Sequence, residues 1–151
     1  MIFTFGPYTV DIDTQKTQQI YQKLPPITER CHCDGCLNFE KAVDTLPTSV
    51  HAFCDTLGVD LKRITECYVY CKNADNSLRY GGFCHVCGTL VKVNHALATE
   101  TAAHPTYHLQ NDFHVSFHKD CIMVEAPFEN PILQIELEAT IMWVLDKENT
   151  Y

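Results

Sequence analysis

The chain has 151 residues, of which 46% are hydrophobic and 20% are charged. These values are ordinary for a globular protein and predict a single domain over residues 1–151, with a core large enough to fold without cross-links. The formal net charge of −8 repels phosphate backbones and anionic lipid, which argues against nucleic acid and membrane surfaces as partners. A protein with a basic surface is the partner that we expect.

The N-terminal residues predict a hairpin and then a helix. The strings IFTF and YTVDI flank Gly6 and Pro7, a pattern typical of two strands joined by a tight turn. A short capped helix is expected next, and it ends before Pro25 because proline disfavours helical backbone in the preceding residue. The segment lacks a basic region followed by an apolar run, and no later stretch approaches the roughly 20 apolar residues of a membrane span. We therefore expect a cytoplasmic protein.

Two amphipathic patterns predict helices in the next part of the chain. LNFEKAVDTL places apolar side chains at i, i+4 and i+7, and PTSVHAFCDTLG places them at i, i+3, i+4 and i+7. Pro47 is typical of a first helical turn, and Gly58 is typical of the residue that ends a helix. Cys54 belongs to the apolar stripe of the second helix and is predicted to be a core residue.

In the rest of the chain apolar residues alternate with polar ones, which is the spacing of strands. The run from Leu133 to Leu145 has an apolar residue at every second position, including Trp143, and predicts a central strand. The pair Gly81 and Gly82 predicts a bulge. A polar segment, NHALATETAAHPTYHLQND, predicts a loop or a short helix. The other predicted strands are RITECYVYC, LRYGGFCHVCGTLVKV, FHVSF and CIMVEAPF.

The order of these elements predicts the fold class. Helical patterns occupy the first third of the chain, and strand patterns occupy most of the rest. We expect an α+β fold, in which an antiparallel β-sheet from the C-terminal two thirds is packed by two or three helices from the first third.

The nine cysteines are too many for background in a reducing compartment, where structural disulfides are not expected. Cys33 and Cys36 have the CxxC spacing of ligands that share a tetrahedral ion, and Cys31 adds a third thiolate. The second CxxC, Cys84 and Cys87, completes a four-thiolate site if it converges with the first, across a gap longer than the roughly 15–20 residues of compact zinc motifs. We therefore predict zinc, with Cys31, Cys33, Cys36, Cys84 and Cys87 as its candidate ligands.

Strand geometry argues against Cys84 and Cys87 as ligands of the same ion. Cys84 and Cys87 would point to opposite faces of a flat strand, roughly 10 Å apart, unless the strand ends in a knuckle there. Cys67 and Cys71 would share a face but lie roughly 13 Å apart. We expect both to be packed residues, with the alternative that one of them faces the site. Gly35, within the first CxxC, is expected to permit a tight turn.

No assembled catalytic motif accompanies the cysteines. The sequence contains no GxSxG, Walker, GxGxxG or HExxH pattern. His114 and His118 share the polar face of FHVSFH and are expected to face solvent, as are Glu136 and Glu138 on the last predicted strand. We therefore favour binding over catalysis as the activity of the protein.

The strings CHCDGCLNF, LGVD and YGGF follow one another in the middle of the chain. In these strings, and above all in the CxCxxCxNF loop, the sequence resembles small uncharacterised bacterial proteins. The resemblance implies no particular activity, so the functional hypotheses rest on the residues themselves.

Three functions remain open. The first is a small protein-binding domain, comparable in size and charge to immunity or inhibitor proteins, whose cysteine loop holds a structural zinc ion. The second is a thiol enzyme or redox sensor that uses Cys33 and Cys36, although the βαβ context of a thioredoxin-like motif is missing. The third is an iron–sulfur protein, since clustered thiolates also bind iron–sulfur clusters. We favour the first.

Overall fold

In a computed structural model, residues 1–98 and 101–151 are described. Within them the chain forms seven strands and four α-helices, so the predicted α+β fold is confirmed. The strands are β1 (Ile2–Phe5), β2 (Tyr8–Ile12), β3 (Glu66–Lys72), β4 (Leu78–Val93), β5 (Tyr107–Leu109), β6 (Phe113–His118) and β7 (Ile132–Ile141). The helices are α1 (Thr14–Tyr21), α2 (Ile27–Arg30), α3 (Asp34–Ala42) and α4 (Thr48–Leu57).

Strand β4 is the centre of the sheet. The order of hydrogen-bonded strands is β1-β2-β4-β7-β6-β5, and every neighbouring pair is antiparallel. Because β4 is 16 residues long, its first half also pairs with β3 and its second half pairs with β2, on the side away from β7. The C-terminal strand β7 is therefore an interior strand, as its alternation predicts.

The helices cover one face of the sheet, and the core lies between the two layers. Phe39 of α3 packs edge-on against Tyr80 of β4, with ring centroids 5.3 Å apart. Phe53 of α4 makes a similar contact with Phe117 of β6 at 6.3 Å. Strand β7 contributes a continuous row of buried side chains to this core: Leu133, Ile135, Leu137, Ala139 and Ile141.

Helix α4 forms where its apolar stripe predicts it. The helix follows Pro47, and Gly58 ends it with a left-handed φ of 78°, which glycine adopts without steric cost. Cys54 is buried on the apolar stripe, as predicted, and burial raises the pKa of its thiol. The short helix α2 has no counterpart among the sequence predictions. Among the described residues, none of the helices has the length and the apolar character needed to cross a membrane.

Strand β7 ends at Ile141, whereas its alternation predicts that it continues to Leu145. The side chain of Asn38 on α3 donates a hydrogen bond to the backbone oxygen of Met142 at 3.1 Å. This hydrogen bond replaces one that a neighbouring strand would otherwise make, so the chain leaves the sheet after Ile141. Trp143 consequently lies beyond the strand and is only half-buried.

The predicted bulge lies on a different strand. Strand β4 passes through Gly81 and Gly82 in unbroken register with β7. Register shifts occur instead in the β3–β4 pairing, between Val69 and Cys71, and in the β2–β4 pairing, between Thr9 and Val10. A Cβ atom at Gly81 would come within 2.5 Å of the Tyr68 ring, so the glycine lets that side chain lie close against β4.

The predicted loop or short helix between β4 and β6 lies partly outside the described residues, which omit Thr99 and Glu100. Before them the chain makes a single 3₁₀ turn at His95–Leu97. After them it forms β5, which pairs with β6.

The segment CIMVEAPF belongs to the loop between β6 and β7, so the prediction of a strand here is wrong. Glu125 in this loop accepts a hydrogen bond from Thr65 Oγ1 at 3.0 Å and lies 3.4 Å from Nδ1 of the fully buried His85. The Phe128 ring packs against the His85 ring, with centroids 5.8 Å apart. The loop is therefore held by its side chains against the face of the sheet and not by strand pairing.

The pKa of Glu125 predicts how the protein responds to acid. Burial alone would raise this pKa, but the hydrogen bonds with His85 and Thr65 outweigh burial and lower it below the usual 4.5. The stability that Glu125 contributes is therefore complete above about pH 4.5 and is lost as the pH falls through the lowered value. We expect Glu125→Gln to lower the free energy of unfolding by about 1–3 kcal/mol at neutral pH and to flatten its decline in acid, as measured by urea denaturation.

Glu129→Gln is the matched control, because it removes an exposed carboxylate from the same loop. This variant should keep the wild-type acid profile. A Glu125→Gln variant with that same profile would show that Glu125 does not couple loop docking to pH.

Candidate metal centre

Three cysteines lie at the junction of α2 and α3: Cys31, Cys33 and Cys36. Cys31 directly follows the last residue of α2, and Cys33 is the N-cap residue of α3 with an extended backbone. The sulfur of Cys33 accepts a hydrogen bond from the backbone N–H of Cys36 at 3.4 Å, at a position where a serine or aspartate oxygen is more common. The start of α3 therefore brings the two thiols of the CxxC pair to the same side of the chain.

The three sulfur atoms form one group. All of them lie within 4.8 Å of one another, and those of Cys31 and Cys33 are 3.2 Å apart. In a tetrahedral zinc site with Zn–S bonds of about 2.3 Å, neighbouring sulfurs are about 3.8 Å apart, so displacements of about 1 Å or less would let the three share one ion. His32, which lies between two of the cysteines in sequence, is exposed and does not belong to the group.

Gly35 serves the site through its small size and not through a tight turn. It is helical, and its backbone N–H donates to the Tyr151 hydroxyl at 2.9 Å. A Cβ atom at this position would lie 2.7 Å from that hydroxyl oxygen. The Tyr80 hydroxyl donates to the Gly35 carbonyl at 2.7 Å, and Lys147 pairs with Asp34 at 2.7 Å. The first turn of α3 is therefore fixed from three directions.

Hydrogen bonds lower the pKa of one thiol of the group. Burial disfavours ionisation of Cys33, but bonds from the Cys36 N–H and the Cys31 thiol outweigh it and lower the pKa of Cys33. A backbone hydrogen bond from Cys33 lowers the pKa of Cys31, but the Cys36 and Cys33 thiols outweigh it and raise that pKa to about 11. The hydrogen bond with Cys67, and then burial, raise the pKa of Cys36. A bound divalent cation would favour the thiolate form of all three and release their protons.

A further thiol lies beside the group, on β3. The sulfur of Cys67 is 3.9 Å from that of Cys36, and Cys67 is buried. Cys71 on the same strand is exposed. The register shift between Val69 and Cys71 breaks the alternation that would place both cysteines on one face. The sequence analysis did not place Cys67 among the ligands. The sequence pointed to it only through the alternative that either Cys67 or Cys71 faces the site.

Cys84 and Cys87 lie elsewhere, inside the unbroken strand β4. They pair with Ile135 and Ile132 of β7, so the strand does not end in a knuckle between them. Burial raises the pKa of Cys84 to about 12, against a hydrogen bond from Tyr21 that lowers it, and burial also raises the pKa of Cys87. The structure does not bring these two residues into the group of three thiols.

Comparisons with known proteins identify no relative of this chain. No protein-family model matches it. No curated protein and no solved structure matches it either. The function is therefore argued from the geometry of the site alone, and that geometry is a group of three cysteine thiols able to hold a metal ion.

Proposed function

We propose that the protein binds one zinc ion through Cys31, Cys33 and Cys36, and that the ion has a structural role in a domain that binds another protein. The observation that carries the proposal is the group of three sulfur atoms within 4.8 Å of one another. Thiolate ligands favour zinc over magnesium and calcium, which prefer oxygen. The ion would join the end of α2 to the first turn of α3.

The sulfur spacing suits a single ion better than an iron–sulfur cluster. In such clusters no more than two cysteine thiolates bind the same iron, so a third thiolate must reach a different iron atom. The sulfurs of Cys31, Cys33 and Cys36 all lie within the reach of one ion. We therefore place the iron–sulfur hypothesis behind zinc.

Metal analysis of protein purified without an affinity metal tests this function. We expect about one zinc ion per chain in the wild type and none in Cys33→Ser/Cys36→Ser, because serine hydroxyls are poor substitutes for thiolate ligands. Cys71→Ser is the matched control, since it removes an exposed thiol outside the group, and it should retain the ion. Circular dichroism should show the sheet in all three proteins. One zinc ion per chain in the double variant would contradict the proposal.

A thiol-redox function is the second candidate, and the environment of Cys33 favours it. Hydrogen bonds lower the pKa of Cys33 in spite of burial, and the Cys31 sulfur lies 3.2 Å away. Cys31 suits a disulfide with Cys33 better than Cys36 does, because Cys36 contacts Cys67. Exchange with oxidised glutathione would form the Cys31–Cys33 disulfide and release two molecules of reduced glutathione. Wild-type protein that holds no zinc and forms this disulfide would favour the redox function.

The polar face of the sheet supports a basic protein partner. On this face Tyr68 and Tyr70 are 44% and 55% exposed, and they line a shallow pocket of about 140 Å³. Glu136 and Glu138 line the same pocket, and Glu138 is paired with Arg79 at 2.7 Å. A lysine or arginine side chain suits such a pocket, because the Glu136 carboxylate attracts its charge and the aromatic rings offer cation–π contacts. The net charge of −8 would guide such a partner towards the protein.

Capture of the partner from native lysate should therefore depend on salt and on this pocket. We expect capture at low salt to weaken as salt is raised, because the Debye length is about 8 Å at physiological ionic strength. Tyr68→Ala/Glu136→Gln should weaken capture at every salt concentration, while Glu129→Gln, on the loop before β7, should not. Salt-insensitive capture that survives the double substitution would remove this face from the proposal.

A further inference from the structure

We propose that Cys67 of β3 is the fourth thiolate of the zinc site, so that the ion has four sulfur ligands and no open coordination position. The inference rests on the proposed zinc function and deepens it. It adds a ligand from the sheet to three ligands from the loop between α2 and α3.

The distances between sulfur atoms carry the inference. Cys67 Sγ lies 3.9 Å from Cys36 Sγ, which is the separation of about 3.8 Å between two thiolates that share a tetrahedral zinc ion. Cys36 also belongs to the group formed with Cys31 and Cys33. Cys36 therefore joins the loop thiols to the strand thiol. Cys67 does not lie within 4.8 Å of all three loop sulfurs, so completing the tetrahedron requires Cys31 and Cys33, at the exposed end of the group, to move towards it.

The backbone holds Cys67 in this position. Cys67 pairs with Gly82 of β4, and a Cβ atom at Gly82 would lie 2.5 Å from the Glu66 carbonyl oxygen and 3.3 Å from the Cys67 Cα. The two strands therefore approach closely here because residue 82 is glycine. Cys67 is 5% exposed and its sulfur contacts that of Cys36, so a ligand on a rigid strand would meet the ligands at the helix start through Cys36.

Tyr151 and His32 are the competing candidates for the fourth position. The Tyr151 hydroxyl already accepts the hydrogen bond from the Gly35 N–H, and zinc in a thiolate environment favours sulfur over a phenol. His32 is exposed and outside the group of thiols. A site closed by four thiolates is the arrangement of structural zinc, whereas catalytic zinc keeps one position for water or substrate.

Cobalt substitution tests the fourth ligand, because thiolate-to-cobalt charge transfer grows with the number of bound thiolates. We expect tetrahedral Co²⁺ in the wild type, and in Cys67→Ser a charge-transfer intensity lower by about a quarter together with zinc binding weaker by at least about tenfold. Cys71→Ser, on the same strand, should keep the wild-type intensity. X-ray absorption of the wild-type zinc protein needs no variant and should report four sulfur neighbours.

The outcomes separate this inference from the proposed function. A wild-type protein that binds neither cobalt nor zinc would overturn the zinc function itself. Three sulfur neighbours with one lighter atom, or Cys67→Ser with wild-type intensity and affinity, would overturn the fourth ligand and leave the three-thiol site intact. One oxygen neighbour in the X-ray absorption of the wild type that is lost in Tyr151→Phe would assign the fourth position to the phenol.

Discussion

The wild-type protein is expected to lose about 4 kcal/mol of its free energy of unfolding when a chelator removes the zinc. The comparison is with the same protein at a free zinc concentration about 1,000 times the dissociation constant. The proposed ion would bind the folded protein, in which the thiols of Cys31, Cys33 and Cys36 lie within 4.8 Å of one another, and not the unfolded chain, where they separate. Urea denaturation with and without chelator measures this difference.

Cys33→Ser/Cys36→Ser should be less stable than the zinc-loaded wild type and should not respond to the chelator. Cys71→Ser should respond as the wild type does, because its thiol is exposed and outside the group. Equal stability of the wild type with and without chelator, at saturating zinc, would mean that the ion has no structural role even if it binds.

Phe39→Ala should cost about 3–5 kcal/mol, the usual loss for a large aromatic residue removed from a core. The Phe39 side chain is fully buried on α3, and its ring packs against Tyr80 of β4. The Tyr80 hydroxyl in turn donates to the Gly35 carbonyl in the first turn of α3. We therefore expect the substitution to weaken zinc binding as well as to lower the midpoint of urea denaturation.

Trp143→Ala is the comparison for this variant, because it also removes a large aromatic ring. Trp143 is half-buried beyond the end of β7, and its Nε1 donates to the Lys147 carbonyl at 2.8 Å. We expect a clearly smaller loss of stability than for Phe39→Ala and unchanged zinc binding. A larger loss for Trp143→Ala would place the main core against the C-terminal segment and not between α3 and β4.

Elements that depend on local patterns are the ones that the sequence predicts well. Helix α4 has its apolar stripe, and Gly58 ends it in the left-handed conformation that the residue type allows. Strand β7 has strict alternation, and an interior strand with one buried face requires such a pattern. In both cases the physical cause lies within a few residues of the element itself.

The wrong predictions concern segments whose backbone or side chains bond to distant residues. Strand β7 stops at Ile141 because the Asn38 side chain on α3 bonds to the backbone that follows it. The segment CIMVEAPF has the composition of a strand, but Glu125 in it is held by Thr65 and approaches His85. No periodicity in the sequence reveals partners that are so far apart along the chain.

The candidate site likewise contains some residues that the sequence predicts well and others that it does not. The short spacing of Cys31, Cys33 and Cys36 is enough to predict that they gather, since one loop and one helix start contain all three. Cys67 is brought near Cys36 by the pairing of β3 with β4, and alternation along β3 alone does not reveal that register. Cys84 has the same CxxC spacing as the loop, but β4 continues through it as a regular strand.

Strand β4 takes its partners from distant parts of the chain. Ile12 pairs with Gly88 on one side of β4, and Cys87 pairs with Ile132 on the other side. Each pairing must close a long loop of disordered chain before it gains any stabilisation, whereas α1, α3 and α4 need only local contacts to begin forming. The rate-limiting step of folding should therefore be assembly of the sheet around β4, and substitutions on β4 should slow refolding more than equally destabilising substitutions on α4.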